Sequence, residues 1–459
     1  MVAANKPSPI ADNTIASLLW TADLKREHGF EPLRVEGKLP AELRGTLYRN
    51  GPGQFGQFGK RYTHPFEADG ATTAIRIADG KAAGASRIHA TAGLVAERAA
   101  GKQLYGLAVA WPRRFANGLR RRFKNTANTN IIAWQGRLFA LMEAARPTEL
   151  DPRDLSVIGE TDLGVVVAAF SAHPHRVAAR RATYNFGLEY GRVTKLHTYE
   201  LPDAGPARHL GVLALPGAPM LHDFIATESH LVFFVSPVRV DVPRMLLQLG
   251  SFEQLFRWKP EHGTEVIAVP IDRPHEPVRF TTDAFYQWHF ANAFSRGHEL
   301  VIDYVRYPNF DSFREIGAVG AGAQRDVLAT GRYHRATLDL GARTLRSTQL
   351  ADRACEFPTV TPGEEGREHR VAYAAFDELT AIGSVDAHGQ IRAHELPAGE
   401  RASEPLRVGD HVLVLCHVRD AAYVAVYDAG RIPDGPIAKI WIDHHVPITF
   451  HGTFSRSHV

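Results

Sequence analysis

His411-Val412-Leu413-Val414-Leu415-Cys416 and, shortly after, Tyr423-Val424-Ala425-Val426-Tyr427 are short runs rich in β-branched and aromatic residues. Runs of this length, bounded by turn residues, read as strands rather than buried helices. The pattern recurs at Leu138-Phe139-Ala140-Leu141, at Leu231-Val232-Phe233-Phe234-Val235 and at Leu300-Val301-Ile302-Asp303-Tyr304. Hairpin signals accompany them at Ala78-Asp79-Gly80-Lys81, Leu338-Asp339-Leu340-Gly341-Ala342 and Asp386-Ala387-His388-Gly389-Gln390. Gly or Asp in such turns takes the positive φ that a tight hairpin needs. The 39 glycines and 28 prolines are spread along the chain, which argues for many turns and against a separate linker. The prediction is an all-β protein of short antiparallel sheets. A ring of small sheets and a pair of sandwiches fit this periodicity about equally, and no Trp-Asp blade repeat is present.

Bulk composition narrows the class. A chain of 459 residues exceeds the usual single core, so two or three domains are the default expectation. A propeller is the exception, because sheets arranged in a ring extend the core around an axis. Hydrophobic content of 44% and charged content of 22% are ordinary for a globular protein, and a net charge of +3 gives no argument for nucleic acid. Cys355 and Cys416 make no disulfide framework and fit a reducing compartment. Asn5, Lys6, Pro7, Ser8 and Asp12 interrupt the apolar run that a signal peptide requires. No segment approaches the roughly 20 apolar residues of a spanning helix. The expected location is cytoplasmic, with any membrane contact peripheral.

Two stretches break the β pattern. From Leu107 to Lys124, Trp111, Phe115, Leu119 and Phe123 are spaced by four, with Arg113, Arg114, Arg120, Arg121 and Arg122 between them. Pro112 is tolerated only near a helix start, which places that start here. From Val242 to Trp258, the residues Met245, Leu246, Leu249, Phe252, Leu255 and Phe256 make one apolar face on a helix. Each stretch is expected either to pack on the β body or to lie in a membrane interface, where arginines meet anionic lipid.

Four histidines stand in distinctive settings: Ser171-Ala172-His173-Pro174, Met220-Leu221-His222-Asp223-Phe224, Trp288-His289-Phe290-Ala291-Asn292 and Phe450-His451-Gly452-Thr453-Phe454. A single histidine is more often a hydrogen-bonded core residue than a ligand. A set of neutral imidazoles suits a borderline divalent ion such as Fe(II) or Zn(II). With no carboxylate among the ligands, the ion keeps its double charge and can keep open positions, which dioxygen chemistry on iron needs.

In order and approximate spacing, these segments resemble the iron-binding segments of the carotenoid cleavage oxygenase family, which includes lignostilbene dioxygenases and the retinal pigment epithelium isomerase. The resemblance begins at Leu43-Arg44-Gly45-Thr46-Leu47-Tyr48-Arg49-Asn50-Gly51-Pro52-Gly53 and runs to Phe454. It implies a seven-bladed β-propeller, one catalytic domain over 31–459 after an N-terminal extension 1–30, with a dome of loops and short helices above an axial iron. It implies Fe(2+) held by His173, His222, His289 and His451. Glu143, Glu356 and Glu404 match family glutamates that accept the far N–H of His222, His289 and His451, and such carboxylates fix the tautomer and orient the ring. Thr129 matches a threonine whose methyl group screens one vacant coordination position. The reaction implied is delivery of both atoms of O2 to one C=C bond of an apolar polyene, giving two carbonyl products.

Stilbene-cleaving relatives grip the substrate phenol with a lysine and a tyrosine. The corresponding residues here are Met142 and Ala108, neither of which can bond or deprotonate a phenol. A carotenoid or apocarotenoid is therefore favoured over a lignostilbene or other phenylpropanoid alkene. A carotenoid-binding or isomerising member that does not cleave is a third reading. Because carotenoids dissolve in bilayers, Trp111, Phe115, Met245, Leu246, Leu249 and Phe252 are candidates for a membrane-facing substrate entrance. The sequence departs from the family at Phe66-Glu67-Ala68-Asp69-Gly70-Ala71, where one glycine and a methionine of the usual acidic-glycine segment are missing, and the stretch between Glu404 and His451 is short.

Overall fold

The computed structural model describes residues 19–62, 64–107, 109–120, 122–247, 249–321 and 328–457. The chain is mostly β, and the strand pairs are antiparallel. All five of the strand-like runs lie in strands, from Arg137–Leu141 to Ala422–Asp428. The turn at Asp79 and Gly80 has positive φ at both residues, 51° and 72°, and pairs Ala78 with Lys81. That geometry matches the right-handed twist of the flanking strands.

The sheets follow one another along the chain. The first holds His28–Pro32, Lys81–Ile88, Asp69–Ala78 and Gly45–Gln54, and the C-terminal strand His451–Ser455 completes it beside Gly45–Gln54. Three four-stranded sheets come next. They span Asn130–Trp134 to Val157–Glu160, then His175–Val177 to Arg208–Leu215, then Ile225–Ala226 to Val278–Thr282. A seven-stranded sheet follows, from Tyr286–Arg296 to Ile391–Glu395 in sequence order. Its long strand Thr344–Val360 pairs with Arg332–Asp339 through one half and with Val371–Phe376 through the other. The last sheet contains His411–His417, Ala422–Asp428 and Ala438–Ile442, and it takes Arg34–Gly37 from near the N-terminus as an edge strand. Each end of the chain thus adds a strand to a sheet built mainly by the other end.

Strands such as Gly45–Gln54 and His411–His417 are buried on both faces, because neighbouring sheets pack against both. Leu47, Ile75, Leu413, Leu415, Val424 and Ile440 form one such layer between the first and last sheets. Burying each of these side chains contributes about 1.5–3 kcal/mol.

Helices are short. Ala92–Ala100 is capped by Thr91, whose side chain accepts from Leu94 N, and Asp311–Gly320 packs its Phe313 and Ile316 into the largest core cluster. Trp111–Leu119 begins at the expected proline. The helix expected over Val242 to Trp258 is shorter than the pattern suggests: it ends at Leu247, and Phe256–Trp258 is a strand paired with Val238–Val240. Gly250, at φ 81°, turns the chain, and sheet hydrogen bonds then outweigh the apolar periodicity. Of the expected N-terminal extension, residues 1–18 lie outside the described residues. Leu19 and Trp20 are already buried in the core.

Candidate metal centre

Each of the four histidines stands on, or just before, an edge strand of a different sheet. His173 precedes His175–Val177, His222 precedes Ile225–Ala226, His289 lies within Tyr286–Arg296, and His451 opens His451–Ser455. Four sheet edges converge, and four side chains scattered over the sequence meet. All are buried. One ring nitrogen from each of His173, His222 and His289 lies within 4.8 Å of the others. His451 joins them with its Nε2 3.1 Å from His289 Nε2 and its ring 4.8 Å from that of His173.

Three carboxylates stand behind the rings. His289 Nδ1 donates to Glu356 Oε2 (2.5 Å), and His451 Nδ1 donates to Glu404 Oε1 (2.8 Å). Glu143 Oε1 pairs closely with His222 Nδ1 and lies 3.7 Å from His173 Nε2. The second oxygens of Glu356 and Glu404 are also engaged. Tyr307 OH donates to Glu356 Oε1 (2.7 Å), while Arg49 Nη1 and Gly452 N donate to Glu404 Oε2 (both 3.0 Å).

With Nδ1 protonated toward a carboxylate, the Nε2 of a neutral ring is a lone pair. The Nε2 atoms of His289 and His451 therefore face each other as acceptors. The Nε2 atoms of His173 and His222 are buried without a hydrogen-bond partner among the described residues. These four nitrogens fit a borderline divalent cation.

Electrostatics agree with a set that resists multiple protonation. Burial, then the charge of His222, brings His173 down to about 4. Burial, then His289 and His173, holds His451 well below its ordinary value. Burial also opposes charge on His289, but Glu356 outweighs it and raises that ring. Burial pushes the Glu143 carboxyl up, yet His222 and His173 together bring it down to about 2. Burial pushes Glu404 up and Arg49 down, but a guanidinium does not lose its proton in a protein, so the pair is ionic.

Sequence reasoning missed Asp223, Tyr307 and Arg49. Asp223 Oδ1 accepts from Phe224 N and His175 Nε2 (both 2.8 Å), and its Oδ2 accepts from Phe290 N (2.9 Å). It thereby ties the His222 segment to the His289 strand. The signal was available at Asp223, an acid inside the apolar run Met220 to Phe224, and at Arg49, a cation in an otherwise buried strand. Tyr307 left none.

The other predicted residues are placed as follows. Thr129 is half-buried just ahead of Asn130–Trp134, with Oγ1 donating to Asn128 Oδ1 (3.2 Å). The next residue, Asn130, donates to Ala172 O (2.6 Å) beside His173. Met142 is half-buried, and its sulfur accepts from Thr126 N (3.2 Å). Ala108 lies outside the described residues, and so does the side chain of Leu246. Aromatic rings wall the centre: Trp288 stands edge-on to His222 at 4.7 Å, and Phe357 stacks on His289 at 5.1 Å. Trp111 is 55% exposed and stacks on half-buried Phe115, whereas Met245 and Phe252 pack partly against the core. Leu249 is half-buried.

Comparison with known proteins gives a consistent picture. The family described as "Retinal pigment epithelial membrane protein" matches residues 21–456. The apocarotenoid-15,15'-oxygenase of Synechocystis is 31% identical over 92% of this chain and 92% of its own. The isoeugenol monooxygenase of Pseudomonas putida is 25% identical over 92% of this chain and 93% of its own. The crystal structure of cobalt-substituted Synechocystis ACO superposes with a TM-score of 0.85 at 28% identity, covering 96% of this chain and 98% of that one.

Proposed function

The chain belongs to the retinal pigment epithelial membrane protein family of carotenoid oxygenases, and we propose that it uses Fe(2+) and O2 to cleave a C=C bond of a carotenoid or apocarotenoid. Within the family it is an enzyme of the carotenoid cleavage dioxygenase class. The observation that carries the proposal is the convergence of His173, His222, His289 and His451 from four sheet edges, with carboxylates behind three of them. The same reading takes the successive sheets as seven blades of a propeller, the long strand Thr344–Val360 being shared by two of them.

When bound, iron(II) supplies the site at which dioxygen and an electron-rich alkene react. The four imidazoles hold the ion without adding negative charge. Glu356, Glu404 and Glu143 fix the tautomers and raise the basicity of the rings. Trp288 and Phe357 would exclude water from the centre, and by the family resemblance the methyl group of Thr129 would restrict access to a bound ion. Met142 offers a thioether where a phenol-cleaving enzyme needs a charged or hydrogen-bonding group, which supports an apolar polyene. The similarity to an isoeugenol monooxygenase favours a second reading, cleavage of a phenylpropanoid alkene.

Incubation of the iron-loaded protein with a panel of carotenoids, apocarotenals, hydroxystilbenes and isoeugenol, followed by chromatography, separates the two. Shorter apocarotenoid carbonyls are expected from the polyenes. Rapid turnover of the phenols with none of the polyenes would overturn the substrate assignment.

A further inference from the structure

A second pair of imidazoles meets as His289 and His451 do. His28, at the start of His28–Pro32, and His444, just after Ala438–Ile442, bring their Nε2 atoms to 2.9 Å. In each ring Nδ1 lies against a backbone carbonyl, which only accepts: Gly29 O at 2.9 Å from His28, and His445 O at 3.1 Å from His444. Both Nδ1 atoms therefore carry the ring proton, and each neutral ring is left with a lone pair on Nε2. Two lone pairs at this distance repel unless a cation joins them.

An ordinary histidine pair in the same molecule shows the contrast. His197 Nδ1 and His209 Nε2 are 3.1 Å apart, but His197 Nε2 faces Glu189 (3.2 Å). Its proton goes to the carboxylate, Nδ1 accepts, and His209 donates without conflict. With both rings neutral no such assignment satisfies His28 and His444, so a cation, a proton or a metal ion, must join them, and Glu31 Oε1, 3.6 Å from His28 Nδ1, favours positive charge there.

Two further observations point to a ligand. His444 and its neighbour His445 line a cavity of about 420 Å³, together with Asp420 and Asp443, whose carboxylates offset the cationic Lys25 and Arg419 that also line it. His445 donates Nδ1 to Arg419 O (3.1 Å), and its buried Nε2 has no hydrogen-bond partner among the described residues. Donation of the far N–H to a backbone carbonyl is also the usual arrangement of a metal-bound histidine.

We propose that His28 and His444 bind a borderline divalent metal ion, with water reaching it from the cavity on the His444 side. The spacing suits this. Two imidazole nitrogens at about 2.0–2.1 Å from one ion lie about 2.9 Å apart at a right angle and about 3.4 Å apart at a tetrahedral angle. The ion joins the N-terminal strand of the first sheet to the segment that follows the last sheet, so it clamps the two ends of the chain. It is separate from the four-histidine centre and does not depend on that centre's function.

The test uses the full chain, stripped of metal and dialysed against micromolar Zn(II), with bound equivalents counted. His28→Ala and His444→Ala should each bind one equivalent fewer than the parent, and His209→Ala should match the parent. Zn(II) should raise the melting temperature of the parent and of His289→Ala, with part of that rise lost in the His28 and His444 variants, because an ion bound only to the folded state stabilises it. Unchanged equivalents and an unchanged thermal response in both variants would show that a shared proton joins the rings, and would overturn the proposal. Loss in one variant alone would also overturn it, since both rings constitute the site. If the four-histidine centre binds nothing, the difference between His28→Ala and the parent still decides the matter.

Discussion

Glu356 is the residue at which the centre can be tested most finely, because both its oxygens are engaged. One accepts from His289 and the other from Tyr307. Glu356→Gln keeps an acceptor and the shape but removes the charge that raises His289, so metal affinity or activity should fall by about 10–100-fold. Iron content and turnover of the purified variant measure this, and parental values for both would remove Glu356 from the centre. His289→Ala should act more severely and abolish turnover, because it removes a proposed ligand and leaves His451 Nε2 without its neighbour. Met142→Lys should harm polyene cleavage, since it puts an ammonium where the proposed substrate presents only apolar surface; comparing rates on an apocarotenal and a hydroxystilbene reads it out. The histidines and glutamates were legible because each sits in a recognisable local segment. Arg49 and Tyr307 were not, because their roles exist only through partners 355 and 49 residues away.

Among the elements, the strands were legible wherever a short β-branched run lay between turn signals, because both faces of those strands are buried and the residues must be apolar. The Val242 to Trp258 stretch misled because an apolar set spaced for a helix also serves a short helix, a turn and a strand that pack on the same core. The join of the helix Ala92–Ala100 to the strand Asp69–Ala78 was equally hidden. It rests on Lys124, whose Nζ lies 2.6 Å from Asp69 Oδ1 and 2.7 Å from Glu97 Oε2, both buried. Glu97 also accepts from Leu104 N (2.8 Å) and Tyr105 N (3.1 Å), which fixes the loop after the helix. Burial works against the Lys124 charge, yet the neighbouring carboxylates raise its pKa. Lys124→Met removes the cation and leaves two buried carboxylates facing each other. Breaking a buried pair in this way costs about 3–5 kcal/mol. Denaturant unfolding should show a loss of that order, and a loss below about 1 kcal/mol would mean that water already screens the cluster.

For the whole molecule, the proposed polyene substrate would need a route to a buried centre, and one stretch of surface is a candidate entrance from a bilayer. Trp111, Leu119 and Phe123 are 55%, 70% and 51% exposed, and Arg113, Arg120 and Arg122 are exposed beside them. Met245 and Phe252 are partly committed to the core, so of the two apolar stretches it is Trp111 to Phe123 that exposes large side chains beside arginines. Among the described residues no helix is long and apolar enough to cross a membrane, so any contact through this stretch is with the interface. The protein should co-sediment with anionic liposomes and be partly released by salt, each arginine contributing about 1 kcal/mol near a charged surface. Binding that survives high salt comes from the buried aromatic and leucine side chains. Changing Trp111, Leu119 and Phe123 to serine removes no core packing at such exposures. It should therefore slow cleavage of a carotenoid embedded in liposomes while sparing a short apocarotenal dissolved in detergent. Equal rates for parent and variant on the embedded substrate would show that the polyene reaches the four-histidine centre by another face of the molecule.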